Sequence, residues 1–255
     1  MKETIENLER LFVFWTLGIL GGIIFFIFRL TKRIEIEGYK IKKFIPSKEG
    51  LIIIYNHPSL WEPGVLPFLL FPFFLFSLKF TPYSTPDKKN FFDKWWFWPI
   101  RLMCIPIDRQ KARSEALRKM IRKVNQGKIV IVAPEGGRTD NGEEFKILKD
   151  GQIIIKEKNE LLPEEKNLPK IRRFQRGFSA FLNLTKANLV PIWTEGGDKV
   201  ISIPPKGAVP KGPYFLVPNL KEKTIIKIGK RIKIKDVSQL EDELLKLSQN
   251  GKSAH

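Results

Sequence analysis

One run of residues constrains this chain more than any other: LFVFWTLGILGGIIFFIF over 11–28, 18 uncharged positions closed by Arg10 and Arg29. As a helix rising 1.5 Å per residue it measures about 27 Å, close to the ~30 Å hydrocarbon core of a bilayer. Apolar runs of this length seldom sit inside soluble domains, so the chain reads as a membrane anchor over 1–33 and a second domain over 34–255. The mixed charge before the run (Lys2, Glu3, Glu6, Glu9), with no small-x-small cleavage site after it, argues against a secretory leader. Arg29, Lys32 and Arg33 follow at once, which places the rest of the chain on the cytoplasmic side by the positive-inside rule. Gly18, Gly21 and Gly22 admit close helix packing or a bend, so spanning the bilayer and re-entering one leaflet both stay open.

Charge and aromatics divide the chain in the same way. Residues 1–98 hold 15 of the 20 Phe and 5 of the 6 Trp, with 13 basic against 9 acidic side chains. The remaining residues carry 32 basic and 18 acidic side chains, which supplies most of the net charge of +18. A greasy front and a cationic back suit an anionic membrane surface. A nucleic-acid binder would interleave its aromatics with its basic residues, and no such motif accompanies the charge. A second apolar run, 64–78, is broken by Pro67 and Pro72, and reads either as core or as a bilayer-facing surface. The cluster FFDKWWFW at 91–98 places Trp beside charge, as the headgroup interface favours. A single cysteine and two histidines, one of them terminal, leave no material for a Cys-based zinc site or a multi-histidine metal centre.

The rest alternates strands with helices. β-branched runs at 50–55, 102–107, 128–133, 189–194 and 224–234 predict strands, and periodic apolar positions at 109–125, 177–187 and 236–249 predict helices. The expected fold is α/β, a largely parallel central sheet flanked by helices, behind the N-terminal hydrophobic segment. Sites in such folds collect at the carboxyl ends of strands.

Two motifs occupy such ends. Asn56-His57-Pro58-Ser59-Leu60-Trp61-Glu62 follows the first strand and contains the one internal histidine. A side chain with an ordinary pKa near 6.5 is suited to take a proton from a hydroxyl. A carboxylate five residues on can fix its tautomer and stabilise the imidazolium. Taken alone, the pair also fits a loop histidine beside an unrelated helix-start acid. Ala133-Pro134-Glu135-Gly136-Gly137-Arg138-Thr139 follows the strand at 128–133. Its glycines let backbone amides approach an anion, and Arg138 adds a planar fork that matches phosphate; a plain turn is the other reading. Between the two, Ile107-Asp108-Arg109 opens a strongly basic stretch that includes Lys111.

In this order, the residues resemble the glycerolipid (lysophospholipid) acyltransferases, of the 1-acylglycerol-3-phosphate acyltransferase-like type, over roughly 45–195. The family's N-H-x-S-x-x-D block is matched by Asn56, His57 and Ser59, with Glu62 in the acid position. Its F-I-x-R block is matched by Ile107 to Arg109, with Pro106 in place of Phe. Its P-E-G-T-R-S block is matched by Pro134, Glu135, Gly136, Arg138 and Thr139, with Gly137 in place of Thr. Its V-P-[IV] strand is Val190-Pro191-Ile192. The resemblance implies a transfer of a fatty acyl group from acyl-CoA or acyl-carrier protein to the hydroxyl of a lysophospholipid, first of all 1-acylglycerol-3-phosphate. It implies His57 as general base, Glu62 as its orienting acid, and Arg109, Glu135, Gly136 and Arg138 around the acceptor's phosphate. Asn56, Ser59, Gly137 and Lys111 would support them, with no metal and no tightly bound cofactor. Another lysolipid or glycolipid acceptor, or a non-catalytic anionic-lipid-binding member of the fold, are the competing readings. Residues 139–173 form a charged insert longer than the family's usual connection, expected as a solvated surface excursion, with a lid or a donor-docking site as the alternative.

Overall fold

The computed structural model describes residues 2–108, 114–201, 218–219 and 221–249. Helix α1 (Lys2–Val13) passes through a π-helical turn at Phe14–Gly18 into α2 (Ile19–Leu30). Strands β1 (Ile34–Glu37) and β2 (Leu51–Tyr55) follow, then the short helices α3 (Glu62–Val65) and α4 (Phe73–Phe76) and strand β3 (Pro82–Ser84). Next come α5 (Ser114–Asn125), β4 (Ile129–Val132), β5 (Glu144–Lys149), β6 (Gln152–Glu157), β7 (Lys170–Arg172) and α6 (Arg176–Asn183). The chain closes with β8 (Asn188–Glu195), α7 (Gly197–Val200), β9 (Thr224–Ile228) and α8 (Val237–Lys246).

The expected α/β fold is present. Six strands form one sheet in the order β1-β9-β8-β2-β4-β3. All neighbours run parallel except β8 and β9. β2, β4 and β8 sit side by side, and their apolar runs are buried on both faces, as a parallel sheet between two covers requires. Side-chain alternation separates the two cores. Ile52, Ile54, Val130, Val132 and Leu189 point to one face, under Met120, Phe178, Phe181 and Leu244 of α5, α6 and α8. Leu51, Ile53, Tyr55, Ile131 and Val190 point to the other, under Phe14 and Phe25 of the N-terminal helix and Leu66, Leu69, Leu70 and Phe74 of the second apolar run.

The glycines of the first run serve the packing option. A Cβ on Gly18, Gly21 or Gly22 would run into the rings of Phe74, Phe68 and Phe71 respectively. The helix therefore shares a core with the domain behind it, and the 64–78 run is the other half of that core.

Two local expectations change. Residues 102–107 form no strand but isolated bridges at Cys104 and Ile107, because Pro106 removes a ladder donor. The last strand stops at Ile228, where Gly229 lies too close to Pro191 to carry a side chain. The charged insert is exposed over much of 150–167 and folds into an ordered antiparallel sheet, β6-β5-β7. Its Phe145, Ile147, Leu148 and Ile171 are buried, which alternating charge in the sequence conceals.

Candidate active site

The carboxyl ends of β2, β4 and β8 converge on His57. Asn56 sets the register of the loop that carries it. The Asn56 amide donates to the Thr194 carbonyl (2.9 Å) and accepts from the Thr194 N–H (2.7 Å), joining the end of β2 to β8. His57 itself is held by its main chain. Its N–H donates to Glu135 Oε1 (2.8 Å), and its carbonyl accepts from the Thr139 N–H (2.9 Å). The loop after β4 thus satisfies both backbone groups of the histidine, which fixes where the imidazole starts from.

Glu62 lies at the start of α3 and is 1% exposed. Its Oε1 accepts from the Ser59 hydroxyl (2.8 Å) and its Oε2 from the Ser59 N–H (3.0 Å). Oε2 also faces His57 Nδ1 at 3.6 Å, a distance that closes to a hydrogen bond with a small ring rotation. Nδ1 is buried and the histidine side chain is 15% exposed, so Nε2 is the nitrogen left to meet a substrate. Tyr55 stands edge-on to the imidazole at 5.8 Å, its phenol pushed up by burial and by the Glu62 and Glu135 charges. The wall behind Glu62 is Gly197, where a methyl group would overlap Glu62 Oε1 and crowd Ser59 Oγ. Sequence reasoning misses Gly197; the signal available is a Gly-Gly pair immediately after a predicted strand.

Glu135, expected around the acceptor's phosphate, is fully buried, and its second oxygen accepts from the Arg172 N–H (2.9 Å). Its carbonyl accepts from the Gln175 amide (3.2 Å). Both carboxylate oxygens are engaged and no water-facing side remains, so its part is to tie three segments together. Burial outweighs the hydrogen bonds from the Arg172 and His57 N–H groups, and pushes its pKa up to about 7.

Gly136 turns through φ +69°, a conformation glycine adopts freely, and brings Arg138 to the same end of the sheet. Arg138 is half-buried and has no hydrogen-bond or ion-pair partner among the described residues; burial pulls its pKa down, against the nearby Asp140 charge. Gly137 is buried under this turn. Arg109 and Lys111 lie outside the described residues. The arrangement can accept a proton at an imidazole backed by a buried carboxylate, and it offers a cation beside that imidazole for an anionic group.

Comparisons with known proteins give the chain a family and a fold likeness. A family model described as Acyltransferase matches residues 34–195, more than half of the chain. Among solved structures, the chain is similar to the 1-acyl-sn-glycerophosphate acyltransferase PlsC from Thermotoga maritima. The TM-score is 0.51 at 17% sequence identity, covering 98% of each chain, a likeness of fold. No curated protein matches.

Proposed function

We propose that this chain, which belongs to the acyltransferase family, moves a fatty acyl group from a thioester donor to the free hydroxyl of a lysophospholipid, with 1-acylglycerol-3-phosphate as the first acceptor to test. The observation that carries this reading is the histidine clasped by two strand-end loops, with Nδ1 3.6 Å from a buried carboxylate. Neutral His57 takes the acceptor's hydroxyl proton at Nε2 as the oxygen attacks the thioester carbonyl. The imidazolium that forms faces Glu62, which stabilises it. Collapse of the tetrahedral adduct expels the thiolate, which leaves as thiol with the proton from His57. Arg138 holds the acceptor's phosphate together with Arg109, as the family resemblance implies, and Lys111 supports them. Acyl-CoA and acyl-carrier protein both supply the required thioester.

The apolar helix supports a seat on the cytoplasmic leaflet. Its outward side chains Phe12, Leu20, Phe26 and Leu30 are more than half exposed, which water disfavours and acyl chains accept. Both of its ends are tied to the domain. The Arg10 guanidinium, fully buried, donates to the Tyr83 hydroxyl (2.6 Å) and to Thr81 Oγ1 (3.0 Å), and Arg33 donates to the Lys221 carbonyl (2.9 Å). A helix fastened to one domain along its length enters a leaflet sideways and does not cross alone. Trp95 and Trp98, on a segment packed against α1, are exposed as well.

The test is thiol release from acyl-CoA and from acyl-carrier protein by the protein in lipid nanodiscs, with 1-acylglycerol-3-phosphate as acceptor. Acceptor-dependent release is expected, and His57→Ala abolishes it. No release with any lysolipid acceptor, or release untouched by His57→Ala, would sink the reading.

A further inference from the structure

On the side of the sheet away from the apolar helix lies a cleft of about 350 Å³, lined by Glu143, Glu144 and the segment 172–176. That side is fixed by packing: Phe174 joins the core of Ile52 and Ile54, while Phe14 and Phe25 of the helix join the core of Ile53 and Tyr55. Three arginines, Arg172, Arg173 and Arg176, line it.

Their charges are not equivalent. Arg173 pairs with Glu241 (3.1 Å) and Glu144 (3.6 Å). Glu241 is buried, accepts from the Phe174 N–H (2.7 Å) and also pairs with Lys146 (3.2 Å), so α8 anchors the cleft floor. Arg172 and Arg176 have no side-chain partner among the described residues. The Arg172 stem lies against Gly142, where a methyl would overlap it. The cleft therefore holds two uncommitted guanidinium groups on a rigid floor. One carboxylate separates it from the histidine: Glu135 accepts from the Arg172 N–H with one oxygen and from the His57 N–H with the other.

We infer that this cleft binds the phosphate of the donor's phosphopantetheine, through Arg172 and Arg176. The inference rests on the acyl-transfer reading and assigns the half of the reaction that reading leaves open. A lysolipid comes from the bilayer and reaches His57 from the apolar face. A phosphopantetheinyl thioester is water-soluble and anionic, and it reaches the same histidine from the opposite, arginine-lined face. Planar guanidinium groups bind phosphate with paired, charge-assisted hydrogen bonds. The flexible pantetheine arm then carries the thioester from the cleft to the imidazole. Coenzyme A and the carrier protein share this group.

The experiment measures binding and turnover separately on the full chain in nanodiscs. Coenzyme A, holo-carrier protein and apo-carrier protein are titrated against wild type, Arg172→Gln/Arg176→Gln and Arg172→Lys/Arg176→Lys. Losing charge-assisted bonds to phosphate raises the Kd of coenzyme A or holo-carrier, and the matching donor KM, at least about tenfold in the Gln pair. The acceptor KM stays within about twofold, as the site separation requires, and the Lys pair keeps most of the affinity. Whichever carrier responds is the physiological source. Equal Kd for Gln pair and wild type, apo-carrier binding as tightly as holo-carrier, a rise in acceptor KM alone, or no carrier bound by wild type each overturns the site. Arg176→Gln, at an exposed position with no partner to lose, repeats the reading if the double variant does not fold. Carrier binding that needs the arginines without any thiol release would leave the site standing and remove the acyl-transfer reading instead.

Discussion

Two loops meet at His57, one after β2 and one after β4, and each contains a glutamate with at most 1% exposure. The residue type and the burial match, yet the partners differ in kind. Glu62 is met by one backbone N–H, one hydroxyl and an imidazole nitrogen. Glu135 is held chiefly by two backbone N–H groups from distant segments. A carboxylate that faces side chains can respond to what they do; one gripped by main chain holds the chain in place. Under the proposed acyl transfer, the comparison separates a glutamate that acts through the histidine's charge from a glutamate that acts through the histidine's position.

The largest expected effect is at Glu62. Each of its partners offers a hydrogen, so the amide of Glu62→Gln presents a donor to a donor, and Glu62→Ala leaves them all unmet. Either variant lowers kcat about a hundredfold or more, with KM for both substrates little changed, read by steady-state thiol release. A kcat within a factor of a few of wild type would break the comparison on its catalytic side. Glu135→Gln comes next, and its signature is different. An amide must turn its NH2 toward one of two backbone donors, which costs about 1–3 kcal/mol of stability, and kcat falls at least about tenfold as the loop shifts. Its pH dependence sharpens the distinction. Burial raises the Glu135 pKa from 4.5 to about 7, so folding binds a proton between those values. The group's favourable contribution is whole below about pH 4.5 and is lost as pH rises through about 7. Melting temperature of wild type therefore declines across that window more steeply than that of Glu135→Gln; identical slopes would remove Glu135 as the titrating group.

Much of this is legible in the amino-acid order alone. The β-branched runs at β2, β4 and β8 announce a buried parallel sheet, and the motif order puts the candidate residues at its carboxyl end. What cannot be read there is what depends on contacts distant in sequence. Nothing in the Glu135 motif shows that its two oxygens meet the N–H groups of His57 and Arg172, which are distant in sequence. The insert's charges suggest solvent, because Lys146, on the strand face opposite Phe145 and Ile147, gives no sign in the sequence that it pairs with Glu241. The apolar run is plain from composition, whereas its attachment along the domain rests on glycines whose partners, Phe68, Phe71 and Phe74, lie some fifty residues away.

Gly197 tests the comparison without touching a functional group. It has no side chain, and the space a methyl would take belongs to Glu62 Oε1. Gly197→Ala pushes that carboxylate off its Ser59 bonds, and kcat falls about tenfold with an overpacking cost of about 1–3 kcal/mol. Because Glu62 moves and Glu135 does not, the pH slope of melting matches wild type. A Glu135-like pH change in this variant would show that the two loops are not separable.

The smallest effect is expected at Arg138, which shares the second loop with Glu135 but not its role. Its half-buried head group has no partner to lose among the described residues, so Arg138→Gln leaves melting within about 0.5 kcal/mol of wild type. If the head group meets the acceptor's phosphate, the acceptor KM rises about five- to tenfold while kcat and the donor KM hold. That pattern places holding and binding on one loop and proton transfer on the other. A fall in kcat with unchanged KM would put Arg138 on the reacting atoms and erase the boundary between the loops.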